Sequence, residues 1–323
     1  MCTAITFQSK DHYFGRNLDF EYSYKEGVTI TPRNALLPFR MVSDMQTHFA
    51  IIGMAMVEGN YPLYYDATNE HGLSMAGLYF PGNAIYLPID KKKDNIAPFE
   101  LVLWILGQCV SVDEAELKLN RLNIVNIPFS DKYPLSPLHW MIADKHRAIT
   151  VEPTKAGIQI YENPVGVLTN NPPFDYHLYN LSNYLNLTSD EPTNRFAPNQ
   201  NITAYSRGMG AIGLPGDLSS ASRFIRASFV KLNSVCDQAE SSSVSQFFHI
   251  LDSVAQQKGC VRLGSDYEKT IYSCCCNTDK GIYYYTTYDN SQITGVDMRN
   301  TDLTGRALIT FPLILEQQIR MEN

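Results

Sequence analysis

The chain has 323 residues, of which 44% are hydrophobic, 11% aromatic and 18% charged, with a net charge of −7. That balance belongs to a folded globular protein and excludes a disordered chain. The acidic charge, with no basic run longer than Lys91-Lys92-Lys93, argues against nucleic acid as a partner, and no apolar run reaches the roughly 18 residues of a membrane span.

Residues 2–8, Cys-Thr-Ala-Ile-Thr-Phe-Gln, alternate and are rich in β-branched side chains, which predicts a strand. Lys10-Asp11-His12 is a polar turn, and 13–19 returns as a second strand. A third strand at 28–31 stops at Pro32. Strands at 49–56, 62–65 and 73–78 follow, with the turn residues Asn69-Glu70-His71-Gly72 before the last. Pro98 opens an apolar helix that runs to Leu106, and 112–122 is rich in helix formers. Strands are expected again at 138–143, 148–153, 157–161 and 166–168. The polar, Asn- and Pro-rich segments 173–184 and 187–205 read as a loop with short helical pieces. Gly208, Gly210, Gly213 and Gly216 punctuate a loop that lacks Gly-Lys-Ser/Thr, so it is no phosphate-binding loop. Helices at 221–233 and 243–256 and strands at 269–276, 280–287 and 293–298 complete the pattern. The order is α+β, with antiparallel hairpins and helices packed on the sheets.

The seven cysteines are Cys2, Cys109, Cys236, Cys260, Cys274, Cys275 and Cys276. An odd number in a long chain argues against a disulfide framework, and no cysteine pair has zinc-site spacing. The triplet 274–276 falls in an expected strand and reads as structural. Residues 1–7 carry no basic start, apolar core or cleavage site, so a cytoplasmic location is expected.

Cys2 is the cysteine whose position is unusual. If Met1 is removed, Cys2 carries a free α-amine beside its thiol. Such an amine has a pKa of about 7.7–8.0 and is partly neutral near pH 7. It can take the thiol proton, so one residue serves as both nucleophile and base. With Met1 attached, the same nitrogen is an amide and cannot act. Taken alone, Cys2 also fits a small buried residue at a strand start. Arg16 and Asp19, three apart on the returning strand, add to the case. Asp19 would hold the ammonium and Arg16 would stabilise a thiolate. A surface ion pair is the ordinary alternative for the two.

Cys2-Thr3-Ala4 followed by Phe14-Gly15-Arg16-Asn17-Leu18-Asp19 resembles the choloylglycine hydrolases, the bile salt hydrolases and penicillin V acylases of the N-terminal nucleophile superfamily. The resemblance covers essentially the whole chain. It takes in Tyr61-Pro62-Leu63-Tyr64-Tyr65-Asp66, Asn69-Glu70-His71-Gly72-Leu73, Pro137-Leu138-His139-Trp140, Leu168-Thr169-Asn170-Asn171-Pro172, Gly213-Leu214-Pro215-Gly216-Asp217 and Ser222-Arg223-Phe224.

The resemblance implies a four-layer αββα sandwich, one domain over 1–323, removal of Met1 and no metal or organic cofactor. It implies Cys2 as nucleophile, tuned and held by Arg16 and Asp19. Asn170 would be the side-chain donor of the oxyanion hole, the Tyr79 N–H would assist, and Arg223 would support the nucleophile's charge. Bile salt hydrolases usually carry Asn where this chain has Tyr79 in Gly77-Leu78-Tyr79-Phe80. Tyr at this place resembles the penicillin V acylases. The backbone N–H survives the change, so the change bears on substrate choice. Segments 20–26, 58–65 and 129–138 would be pocket loops, with Tyr24, Tyr65, Phe80 and Leu135 as an apolar wall. The expected substrates are glycine- or taurine-conjugated bile acids, with penicillin V as the alternative, and the expected assembly is a homotetramer. Two readings from other classes are a binding module that retains Met1 and a papain-like enzyme using 274–276 with His249.

Overall fold

The computed structural model describes all of residues 1–323. A first hairpin pairs β1 (Cys2–Gln8) with β2 (His12–Phe20), with Cys2 opposite Leu18 and Ala4 opposite Arg16. Next come β3 (Gly27–Thr31), β4 (Ile51–Glu58), β5 (Tyr61–Asn69) and β6 (Ser74–Tyr79). A short β7 (Asp94–Ile96) leads to α1 (Leu101–Leu106), α2 (Val112–Leu119) and β8 (Leu122–Ile124), which lies parallel to β7. Strands β9 (Leu138–Ala143), β10 (Ala148–Thr154), β11 (Gly157–Glu162) and β12 (Val167–Leu168) follow. Then come α3 (Phe174–Asn180), α4 (Ser220–Asn233) and α5 (Glu240–Asp252). The chain closes with β13 (Val261–Leu263), β14 (Asp266–Asn277), β15 (Ile282–Thr287), β16 (Asn290–Asp297) and β17 (Ile309–Pro312).

Apart from the parallel pair β7-β8, the strands form two antiparallel sheets. One has the order β12-β1-β2-β14-β15-β16, with β13 added on β14; the other runs β11-β10-β9-β6-β5-β4-β3-β17. The apolar runs of the second sheet explain the layering. Adjacent residues point to opposite faces, and both faces are buried. Ile52, Ala76 and Met141 join the core shared with the first sheet, while Ile51, Met75 and Ile142 pack with α1 and α2. On the far side of the first sheet, α4 packs on β1 and α5 on β14. The result is an αββα sandwich of the α+β class, as expected. No helix is long and apolar enough to cross a membrane.

The structure corrects several sequence expectations. The helix at 112–122 ends at Leu119, because Asn120 caps it and Leu122 already belongs to β8. Strands β7, β8, β13 and β17 were not anticipated; each has only three or four residues, too few to carry a period. Segment 58–65 is not a free loop but the β4–β5 turn and the first half of β5. The 274–276 triplet lies in β14, fully buried, which removes it as an accessible nucleophile beside the exposed His249. Gly15 marks the close approach of β2 to β14: a Cβ there would meet the Cys274 carbonyl oxygen at 2.0 Å.

Candidate active site

The end of β1 carries Cys2 into the interior, where it is 4% exposed. Its backbone N–H donates to Asn170 Oδ1 at 2.7 Å. Asn170 follows β12, the edge neighbour of β1, so the sheet brings together two residues 168 positions apart. Arg223, in the first turn of α4, reaches the same place. Its Nη1 donates to the Cys2 carbonyl at 2.5 Å and to Thr3 Oγ1 at 2.6 Å, and its Nη2 donates to Asn170 Oδ1 at 2.8 Å. Ser219 caps α4 by accepting from the Ser222 N–H, which sets where the helix begins and so where Arg223 points. Burial pulls the Arg223 guanidinium below the ordinary arginine range, with Asp19 and Cys2 opposing that shift.

Arg16 projects from the middle of β2 and is fully buried. Its Nη1 donates to the Gly77 carbonyl at 2.6 Å and the Tyr65 carbonyl at 3.1 Å, while its Nη2 has no partner. Burial works against its charge, but Cys2, Tyr272 and Asp66 outweigh that effect and hold it above the ordinary range. Those carbonyls are free because β5 pairs with β6 only from Asp66↔Ala76 to Thr68↔Ser74. Beyond Ala76 the β6 edge is released toward β2 and β12. Asn170 Nδ2 takes the Tyr79 carbonyl there at 2.7 Å. By strand alternation the Tyr79 N–H lies on this same released edge. An amide nitrogen carries two hydrogens. One from Asn170 is committed to Tyr79, which leaves one directed elsewhere beside that N–H.

Asp19 also comes from β2 and is fully buried. Its Oδ1 accepts from Thr270 Oγ1 at 2.6 Å; its Oδ2 has no hydrogen-bond partner and lies 3.9 Å from Arg223 Nη1. Burial pushes the Asp19 carboxyl up, against the pull of Arg223 and the N-terminal ammonium. The expectation that its carboxylate holds the Cys2 ammonium concerns the chain without Met1, whereas Met1 is in place here. The ammonium is then Met1's, and it donates to the Asp19 backbone carbonyl at 2.8 Å and pairs with Glu268. The Met1 carbonyl in turn accepts from the Asp19 N–H, so Met1 simply extends β1. Burial holds that ammonium below its usual pKa.

The structure therefore brings Cys2, Arg16, Asp19, Asn170, Arg223 and the Tyr79 backbone to one end of the first sheet. The Tyr79 ring stands 42% exposed at the rim. Tyr24 and Tyr65 lie side by side with ring centroids 6.4 Å apart, and Tyr24 also meets Phe20 and Tyr22. Phe80 does not join this wall: it is 1% exposed and its ring stacks on His139, so it is a packing residue. Leu135 is half-buried in the segment before β9, with no contact that ties it to Cys2. Sequence reasoning missed Glu268 and Thr270, which reach the site through the pairing of β14 with β2. It also missed His139, His177 and Ser220, which bond the backbone at 169–170. All but His177, seven positions from Asn170, span tens to hundreds of positions, a distance over which periodicity carries no signal.

The sequence pattern of the family described as linear amide C–N hydrolases, choloylglycine hydrolase family, matches residues 2–311. The bile salt hydrolase/transferase of Lactiplantibacillus plantarum is 57% identical over the whole of both chains, and that of Clostridium perfringens is 39% identical over 96% of each. A crystal structure of a mutant conjugated bile acid hydrolase from Clostridium perfringens superposes with a TM-score of 0.92 at 37% identity over the whole of both chains. Penicillin V acylase from Agrobacterium tumefaciens shares the fold, with a TM-score of 0.75 at 18% identity over 96% of this chain and 90% of its own. The chain belongs to the choloylglycine hydrolase family of linear amide C–N hydrolases.

Proposed function

We propose that the chain, once Met1 is removed, hydrolyses the amide bond of glycine- or taurine-conjugated bile acids with Cys2 as nucleophile. The observation that carries this reading is the meeting of Cys2 with two buried guanidinium groups, an orphaned carboxylate oxygen on Asp19 and a spare amide hydrogen on Asn170. The freed Cys2 amine is held by Asp19 Oδ2 and takes the thiol proton. Arg16 and Arg223 stabilise the thiolate. The thiolate attacks the substrate carbonyl, and the oxyanion accepts hydrogen bonds from Asn170 Nδ2 and the Tyr79 N–H. The amine returns its proton to the leaving nitrogen. Glycine or taurine departs and a thioester remains. Water, activated by the same amine, then cleaves the thioester and restores the thiol. An amine that reaches the thioester in place of water would receive the acyl group, in keeping with the transferase half of the relatives' names. No step calls on a metal or an organic cofactor.

The 57% identity along the full chain supports bile salts as the substrate class. Tyr79 favours a second reading, penicillin V acylase, because it puts a ring at the rim where bile salt hydrolases carry an amide. Tyr24 and Tyr65 supply a wall on which a steroid or a phenoxy group can lie. A single cytoplasmic domain over 1–323 in a homotetramer completes the proposal. The segment 174–212 supports the assembly, since Tyr179, Phe196 and Tyr205 stand almost bare on it, Phe196 at 95% exposure. The test is steady-state turnover of glycocholate, taurocholate and penicillin V by one preparation whose N-terminus is read by mass. Bile salt turnover with Cys2 first is expected. A retained Met1 in an active preparation would overturn the nucleophile reading.

A further inference from the structure

The two oxyanion donors come from different parts of the chain: Asn170 from the loop after β12 and Tyr79 from the end of β6. One direct tie joins them, the Asn170 Nδ2 bond to the Tyr79 carbonyl at 2.7 Å, and a second support lies behind it. His139, on β9 opposite Leu78 of β6, lies between them and is fully buried. Its Nε2 bonds the Thr169 carbonyl at 2.9 Å, one residue before Asn170. Its ring stacks on Phe80, one residue after Tyr79, at 4.2 Å between centroids and 6° between planes. Its Nδ1 faces Glu152 Oε1 at 3.1 Å, and Glu152 on β10 is itself buried. The same Oε1 accepts from the Phe174 N–H at 3.0 Å, which anchors the start of α3.

Proton counting makes this pair specific. A carbonyl oxygen only accepts, so His139 carries a hydrogen on Nε2. Nδ1 and the Glu152 carboxyl can bond only if one further proton lies between them. Imidazole and carboxyl together thus fix the ring's orientation, as an outer partner fixes a histidine elsewhere. Beyond the pair, Ser220 Oγ accepts from the Asn170 N–H at 2.8 Å and His177 Nε2 bonds the Asn170 carbonyl at 3.0 Å. Besides Asn170 itself and the half-buried Asn171, whose Nδ2 bonds the Pro81 carbonyl at 2.7 Å, His139 touches both halves of the hole, and it is fully buried.

We propose that His139 and Glu152 are a buried positioning dyad that sets the distance between the Asn170 amide and the Tyr79 N–H. The inference rests on the catalytic reading above. Neither residue touches the reacting atoms. Their effect should fall on the chemical step, because misplacement by about 1 Å can cost 10²-fold in rate. Substrate binding on the tyrosine wall and the reactivity of Cys2, governed by Arg16 and Arg223, should not change.

The test compares His139→Phe, His139→Gln and Glu152→Leu with the parent, each with its N-terminus confirmed by mass and its fold by circular dichroism. Glycocholate kcat and KM are measured, with the rate of Cys2 alkylation by iodoacetamide. His139→Phe keeps the stacking ring and loses the donor; a kcat loss of about 30-fold or more is expected, with KM within about two-fold. Glu152→Leu should behave alike. His139→Gln can still donate to Thr169 but gives up the ring on Phe80, so its kcat should fall by clearly less than that of His139→Phe, with alkylation unchanged throughout. If His139→Phe fails to fold, Glu152→Leu and His139→Gln read the same contrast. The dyad is overturned if the donor-less variant keeps parental kcat, if His139→Gln falls as far as His139→Phe or Glu152→Leu, or if KM and alkylation move together with kcat. A parent that alkylates at Cys2 but turns over no bile salt would instead overturn the substrate reading.

Discussion

Cys2 and Cys274 lie on the two strands that flank β2, and both are buried beside Arg16. Their surroundings are opposite. Cys274 Sγ accepts from the Arg16 backbone N–H and donates to Asp66 Oδ1, both at 3.3 Å. Burial, then the Asp66 charge, pushes its thiol well above the usual cysteine range. Asp66 also accepts hydrogen bonds from the Tyr272 and Tyr283 hydroxyls at 2.6 Å. Cys274 is therefore a neutral donor in a closed polar cluster. Cys2 instead has its carbonyl bonded by Arg223 Nη1 and sits in the field of the Arg16 and Arg223 charges, with one Asp19 oxygen left unpartnered. Two thiols of one type, on either side of β2, differ in the sign of the charges around them. Burial alone does not decide whether a cysteine is inert.

That contrast breaks most sharply at Cys2. Cys2→Ala removes the proposed nucleophile and should lower glycocholate kcat by at least about 10⁴-fold, as loss of a catalytic nucleophile does elsewhere. Binding of the conjugated bile acid, measured by calorimetry, should persist. Asn170→Ala comes next. It removes one of the two proposed oxyanion donors and should cost about 10²–10³ in kcat, measured with KM nearly constant. Asp19→Asn keeps the shape but weakens the hold on the Cys2 amine. Hydrogen bonds to charged groups contribute roughly 1.5–3 kcal/mol, so kcat/KM should fall by about 10- to 100-fold.

Cys274→Ala tests the other half of the comparison. It leaves Asp66 with two hydroxyl donors instead of three partners and opens a small void under β2. A loss of about 1–3 kcal/mol in unfolding free energy is expected from urea titration. Activity per folded molecule should stay within about two-fold. A large loss of activity without a loss of stability would show that the Asp66 cluster acts on Arg16 and that the two cysteines are not independent.

The sequence carried the two thiols unequally. The β1–β2 hairpin was legible because alternation and the Lys10-Asp11-His12 turn are local, and it alone sets Arg16 and Asp19 alongside Cys2. The αββα layering was legible through the family resemblance, while the two-faced burial of Ile51 and Ile52 accounts for it physically. Asn170 and Arg223 came only through that resemblance, since their contacts with Cys2 span 168 and 221 positions. Glu268, Thr270 and the His139–Glu152 pair had no local signal. A buried histidine in Leu138-His139-Trp140 reads like any core residue until its two ring nitrogens are traced.

Tyr79→Asn should have the smallest effect on catalysis and the most informative one on choice. Its backbone N–H and carbonyl stay where β6 puts them, because the carbonyl is bonded by Asn170 and the next residue is locked by the Phe80 N–H to the Pro137 carbonyl at 2.8 Å. The oxyanion geometry should therefore survive, and total turnover should change by no more than about three-fold. The exposed ring, however, is replaced by an amide that can bond a polar head group. A side-chain hydrogen bond contributes about 0.5–1.5 kcal/mol net, which converts to roughly 2- to 12-fold in the ratio of glycocholate to penicillin V turnover. The ratio should rise. If it stays fixed while both rates hold, the rim ring does not choose the substrate, and the tyrosine wall of Tyr24 and Tyr65 becomes the next place to look. If both rates collapse instead, the Tyr79 backbone depends on its own ring for position, and chemistry in the buried hole is not separate from selection at its rim.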